Sequence, residues 1–166
     1  MSDKSYGPIT QVAWVVEDIA ATEELLTGLC GAGRWMRMPN VEFGANCEYR
    51  GNPADFVTHV SLSYVGDMQL ELIEPVSGES VYTEFLARSG PGLHHVCFEP
   101  EDFDNAVDDA RGRDISIPLH GEIGDGTMRF AYLDCSAAGV PYIELAEISP
   151  TMRAFYAEIK ANAHRD

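Results

Sequence analysis

The chain has 166 residues and a formal net charge of −16, from 27 Asp and Glu against 11 Lys and Arg, with 45% hydrophobic and 23% charged residues. That length suits one domain with a real core, and the composition excludes a disordered or fibrous chain. A pI near 4.5 repels phosphate backbones and excludes nucleic acid as a partner.

Residues 9–16 (ITQVAWVV) read as a strand, and 17–29 (EDIAATEELLTGL) as a helix with an acidic first turn, stopped by Gly31 and Gly33. Short strands are expected at Arg34–Met38 and Cys47–Arg50, separated by the turn-rich PNVEFGAN. Two better strands follow at Thr58–Tyr64 and Met68–Pro75, with a turn at Gly66 and Asp67. SGESVYTEFLARSGPG reads as a linker holding one helix. The order then begins again: strand 93–99, helix 102–113, and strands near Ile115–His120, Met128–Asp134 and Pro141–Glu147. Behind Ser149 and Pro150, a tail helix carries Met152, Phe155, Tyr156 and Ile159 at helical spacing and reads as a docking or subunit-contact element.

The recurrence extends to residues. QVAWVVEDI at 11–19 overlies HVCFEPEDF at 95–103, and LELIE at 70–74 overlies IELAE at 143–147. Both halves read as βαβββ units, which makes duplication the better reading. The fold class expected is α+β, with two βαβββ modules forming a paired, cup-shaped mixed sheet and helices outside. Residues 1–92 form the first module with its linker helix, 93–148 the second, and 149–166 the C-terminal helix, all in one structural domain.

Alternate residues of a strand face opposite sides of a sheet. If the heavier apolar face of each strand packs on helices, then Val12, Trp14, Val60, Leu62, Tyr64, Leu70, Leu72, Val96, Phe98, Ile143 and Leu145 point outward. His94 shares that packing side and reads as structural. Gln11, His59, Glu71, His95 and Glu144 are left facing the cup. Gln11, Glu71, His95 and Glu144 hold repeat-equivalent positions: one amide oxygen, one imidazole and two carboxylates, a donor set for a divalent cation. Two facing carboxylates in a half-buried cup also call for a cation between them. Cys30, Cys47, Cys97 and Cys135 lie far apart with no CxxC pair, so they read as reduced structural thiols rather than zinc or redox ligands. The opening MSDKSYGPIT holds no signal-peptide core, and no apolar run approaches the roughly 18 residues of a membrane span. A soluble, cytoplasmic protein with no membrane partner is expected.

The βαβββ duplication, the His of GLHHV and the Glu residues of LELIEP and YIEL resemble the vicinal oxygen chelate superfamily, which includes glyoxalase I, methylmalonyl-CoA epimerases, extradiol dioxygenases and bleomycin-resistance proteins. The resemblance runs from about Ile9 to Ile148, and VSGESVYTEFLARSGPGLHHVCFEPEDF looks most like the epimerases. It implies Gln11, Glu71, His95 and Glu144 as ligands of a divalent ion (Zn, Co, Ni, Mn or Mg). Epimerases usually carry His where this chain has Gln11; the Gln, Glu, His, Glu set is instead similar to that of animal-type glyoxalase I. With one His among these positions, extradiol oxygenation is disfavoured.

The function implied is that of a metal-dependent isomerase, epimerase or lyase that abstracts a proton beside a metal-bound carbonyl of a small acid derivative, an acyl-CoA among the candidates. Glu144, Glu71 and His59 are the candidate acids and bases. The rival is a non-catalytic protein that holds an apolar or aromatic compound in the same cup. A small-molecule substrate is the expected partner, and the resemblance leaves a homodimer open.

Overall fold

A computed structural model describes residues 6–165. Its strands are β1 (Ile9–Val15), β2 (Met36–Phe43), β3 (Cys47–Tyr49), β4 (Asn52–Pro53), β5 (Phe56–Val65), β6 (Met68–Ser77), β7 (Gly92–Phe98), β8 (Leu119–Ile123), β9 (Met128–Asp134) and β10 (Tyr142–Ile148). Its α-helices are α1 (Ile19–Cys30), α2 (Val81–Ser89), α3 (Phe103–Gly112) and α4 (Pro150–Ala163). The strands make one mixed, curled sheet in the order β2-β5-β6-β1-β7-β10-β9-β8-β3-β4. The fold is α+β, a half-barrel.

The order β2-β5-β6-β1 mirrors β8-β9-β10-β7, and the mirror line is the antiparallel β1/β7 pair. There Val12 lies opposite Val96, Gln11 opposite Cys97 and Ala13 opposite His95. Each strand continues into the equivalent parallel neighbour: Ala13 beside Glu71 of β6, and Cys97 beside Glu144 of β10. The register slips on either side of Val12, leaving Thr10 as an extra residue of β1 and His94 as an extra residue of β7. Both bulges stand just before the repeat-equivalent Gln11 and His95.

Helix ends follow local chemistry. Asp18 is the N-cap of α1, accepting from the Ala21 N–H, and Gly31 ends it at φ 69°. The expected acidic first turn is thus replaced by an acidic cap. The Ile19 N–H is held by the Glu74 carboxylate at 2.9 Å. Ser80 and Thr83 form a capping box on α2, and Ser149 caps α4 ahead of Pro150.

Three local expectations are corrected. PNVEFGAN is not all loop: β2 runs on to Phe43, absorbing Pro39 and Asn40 in a register shift where Asn40 takes φ 54°. The next strand, β3, leaves the first half and pairs with β8 of the second. Ile115 and Ile117 are not in the strand expected there; both pack against the α3 cluster, and β8 begins at Leu119.

The outward and inward faces are as read for β1, β6, β7 and β10, apart from the bulged His94. They are reversed for β5. Val60, Leu62 and Tyr64 point into the cup, where Ile159, Phe155 and Tyr156 of α4 cover them. The polar face of β5 lies outward beneath α1, where Ser61 donates to Glu23 at 2.6 Å and Glu23 also pairs with Arg37. Helices cover this strand on both sides, so packing on a helix does not say which face is the cup.

Candidate functional site

The centre of the cup is the His95 imidazole, brought from β7 between strands of both halves. Its Nε2 lies 3.0 Å from Glu144 Oε2, 3.3 Å from Glu71 Oε2 and 3.2 Å from Gln11 Oε1. Four strands therefore bring three oxygens and one nitrogen together. His95 and Glu144 are buried, and the Glu71 side chain is 16% exposed.

The amide of Gln11 is oriented by a chain of partners. Its Nε2 donates to Gln69 Oε1 at 2.7 Å, and Gln69 Nε2 donates to the Tyr64 hydroxyl at 2.9 Å. This leaves Gln11 Oε1 turned to the centre. The sequence holds a signal for Gln69, two residues before Glu71 and so on the same face of β6.

His94 also enters the cup. The bulge breaks the alternation, so its ring is buried among Tyr82, Phe85, Tyr132 and Tyr142, with Nδ1 2.9 Å from Nδ1 of His95. Burial and the neighbouring His95 hold His94 well below the usual imidazole range, so it stays neutral. The hydrogen bond shared by the two Nδ1 atoms leaves Nε2 of His95 turned to the oxygens.

Electrostatics follow from two carboxylates brought together in a largely buried pocket. Burial alone would push His95 down, but the hydrogen bonds and charges of Glu144 and Glu71 outweigh it and hold the imidazole up at about 9. Burial pushes the Glu144 carboxyl up, with His95 opposing. The imidazolium is the positive charge this cup demands.

The same demand fits a divalent cation: two carboxylates, an imidazole nitrogen and an amide oxygen are ordinary ligands of such ions. In this arrangement the oxygens rest on the imidazole instead, and among the described residues no three His, Cys, Asp or Glu side chains are grouped to hold an ion as they stand.

His59 is not part of this group. On the outward face of β5, opposite Glu74, it accepts the Asn40 N–H at 3.1 Å and lines an exposed depression beside α1. Its placement in the cup rested on the reversed face of β5 and is corrected. The four cysteines are free thiols, Cys47 and Cys97 buried and Cys30 exposed.

Around the polar centre lies a cavity of about 100 Å³. Phe43, Ile73, Phe130 and Tyr132 line it from the sheet and Tyr82 from α2, while Met152, Phe155 and Tyr156 line it from α4. The Tyr82 and Tyr132 hydroxyls share a hydrogen bond of 2.7 Å, and the Tyr132 ring lies 4.8 Å from that of His95. Burial pushes both phenols far up, so they remain neutral hydroxyls. The tail helix is thus a wall of the site as well as a docked element. No helix among the described residues is long and apolar enough to cross a membrane.

Comparison with known proteins places the fold. The chain is 27% identical over 143 residues to the mitochondrial methylmalonyl-CoA epimerase of Mus musculus, an alignment covering 85% of this chain and 73% of that protein. The fold is similar to that of methylmalonyl-CoA epimerase from Mycobacterium tuberculosis, with a TM-score of 0.66 at 21% identity over 88% of this chain and 91% of that one. It is similar also to a variant of the Streptomyces coelicolor methylmalonyl-CoA epimerase in complex with 2-nitronate-propionyl-CoA, with a TM-score of 0.65 at 21% identity over 86% and 97%. Residues 10–132 match the family model of the glyoxalase/bleomycin resistance protein/dioxygenase superfamily, and the chain belongs to that superfamily.

Proposed function

We propose that this protein is a divalent-metal-dependent isomerase or epimerase that moves a proton beside the carbonyl of a small acid derivative, such as an acyl thioester. The observation that carries the reading is the convergence of Gln11, Glu71 and Glu144 oxygens on His95 Nε2 within 3.0–3.3 Å, in a cup otherwise walled by apolar and aromatic side chains. The similarity to methylmalonyl-CoA epimerases supports the same class of reaction.

Gln11, Glu71, His95 and Glu144 would hold the ion. When bound, it supplies Lewis acidity toward a carbonyl oxygen. Glu144 is a candidate proton acceptor, acting as base when it is not holding the ion. Glu71 enters from the opposite half and is the second carboxylate able to carry a proton. The Gln69 chain holds the Gln11 oxygen inward, His94 holds His95 by its far nitrogen, and side chains of α4 line the cavity beside them.

The test is metal content together with isotope exchange. Protein purified without chelator should hold about one divalent ion per chain, and His95→Ala and Glu144→Ala should lose it. In deuterated water, a panel of acyl thioesters and α-keto compounds should show exchange at a single carbon, which also separates an enzyme from a non-catalytic binder. A metal-free protein that exchanges as fast as the loaded one would overturn the metal-dependent reading.

A further inference from the structure

The Tyr82 and Tyr132 phenols face the same cavity as Glu71 and Glu144, and the proposed reaction leaves them without a role. Tyr132 stands opposite Glu144 in the antiparallel β9/β10 pair, so the two side chains share the inner face of the sheet. Tyr82 comes from the first turn of α2, beside the Ser80–Thr83 capping box. The rings meet edge to face with centroids 6.0 Å apart, and the hydroxyl oxygens are 2.7 Å apart. Phe43 and Phe56 pack on Tyr82, and Phe130 and Tyr142 on Tyr132, which fixes where both oxygens lie.

Counting protons shows what this pair has to spare. A phenol carries a single proton, and its oxygen also accepts. The bond between the hydroxyls uses one proton, whichever ring donates it, and the other O–H is left to find an acceptor. Among the described residues neither hydroxyl makes a further hydrogen bond, and both side chains are buried. Burial and the charges of Glu71 and Glu144 push both phenols far up, so the spare proton stays on oxygen through the neutral range. The spare O–H is also a stronger donor than a lone phenol, because its own oxygen accepts from the partner ring. An acceptor oxygen placed in the cavity would satisfy a buried donor as well as gain a bond.

We infer that the Tyr82–Tyr132 pair is a neutral hydrogen-bond donor to the substrate's carbonyl oxygen, stabilising the negative charge that oxygen gains when the neighbouring carbon loses its proton. This rests on the proposed proton transfer beside a carbonyl, and it adds a donor supplied by the protein's own side chains. The phenols keep their protons throughout, and the proton taken from carbon passes to a carboxylate. A fixed O–H donor in an otherwise apolar wall interacts most strongly with an acceptor that is gaining charge, so its effect falls on the transition state more than on binding.

Tyr82→Phe, Tyr132→Phe and the double variant keep the rings and remove the hydroxyls, and the full chain is tested in two ways. Infrared spectra of bound 2-butanone, labelled with ¹³C at the carbonyl, read the hydrogen bond without any reaction. In chelator-treated wild type the C=O stretch should lie below its value in hexane, and in the double variant it should move back up. In isotope exchange by the metal-loaded protein, the double variant should lose roughly 10²-fold in kcat. KM should change little, and the pH profile should keep its position because the phenols do not titrate there. Butanone that fails to bind the wild type, a stretch identical in wild type and double variant, or a double variant with wild-type kcat would overturn the inference. A lowered stretch without exchange of any acyl thioester or α-keto compound would uphold the donor and remove the proposed reaction instead.

Discussion

His95 and its neighbours show how much of the site depends on single atoms. Gln11 presents oxygen rather than nitrogen to the centre only because Gln69 accepts from its amide. Gln69→Leu should therefore weaken divalent-ion binding by roughly 10–100-fold in a competition titration while leaving the circular dichroism unchanged; an unaltered affinity would show that Gln11 needs no such support. The imidazole itself links the site to stability. Its folded pKa of about 9 lies above the ordinary 6.5, so in chelator-treated protein the stabilisation is complete below about 6.5 and is lost as pH rises through 9. The expected fall in melting temperature between pH 6.5 and 9.5 is roughly 5 °C, and His95→Gln should flatten it. Strand alternation, the repeat and the family resemblance together singled out Glu71, His95 and Glu144. They were not enough for His94, because a bulge adds one residue and turns two consecutive side chains into the same cup.

Among the elements, α4 and β5 depart most from a sequence reading. The strand alternates cleanly, with Val60, Leu62 and Tyr64 on one face and His59, Ser61 and Ser63 on the other, yet alternation alone does not say which face is inside. The answer is set by α4 crossing the cup and by Glu23 of α1 giving Ser61 a buried partner on the other side. Docking of α4 depends on Gly33 for close approach. Gly33→Ala should displace the C-terminal end of the helix and cost about 1–3 kcal/mol in denaturant titrations. Phe155 and Tyr156 should become more accessible to solvent in the variant, and an unchanged midpoint would mean the helix end is not held there.

At the scale of the molecule, charge and symmetry dominate. A net charge of −16 on 166 residues is self-repulsive in the compact state, and added salt screens it. Raising sodium chloride from about 10 to 150 mM at pH 7 should raise the melting temperature by about 2–4 °C, whereas a fall would place the stabilising attractions at the surface ion pairs. The symmetry lies in the β1/β7 seam, where Val12 meets Val96 and each half contributes its bulge, its central strand residue and its carboxylate. A cluster on such a seam draws side chains from both copies, so the repeat in sequence and the clustering in space have one cause.

What the sequence by itself determined is local and periodic: the helices, announced by their caps and turn residues, the main strands, the duplication, and the three titratable residues whose polarity is out of place on half-buried strands. These are legible because caps, alternation and repeat spacing act over a few residues. The inward face of β5, the crossing of β3 to β8, the bulge that brings His94 beside His95 and the roof formed by α4 were decided only in the tertiary structure. Each depends on which surface another part of the chain comes to cover, and that coverage joins residues far apart in sequence.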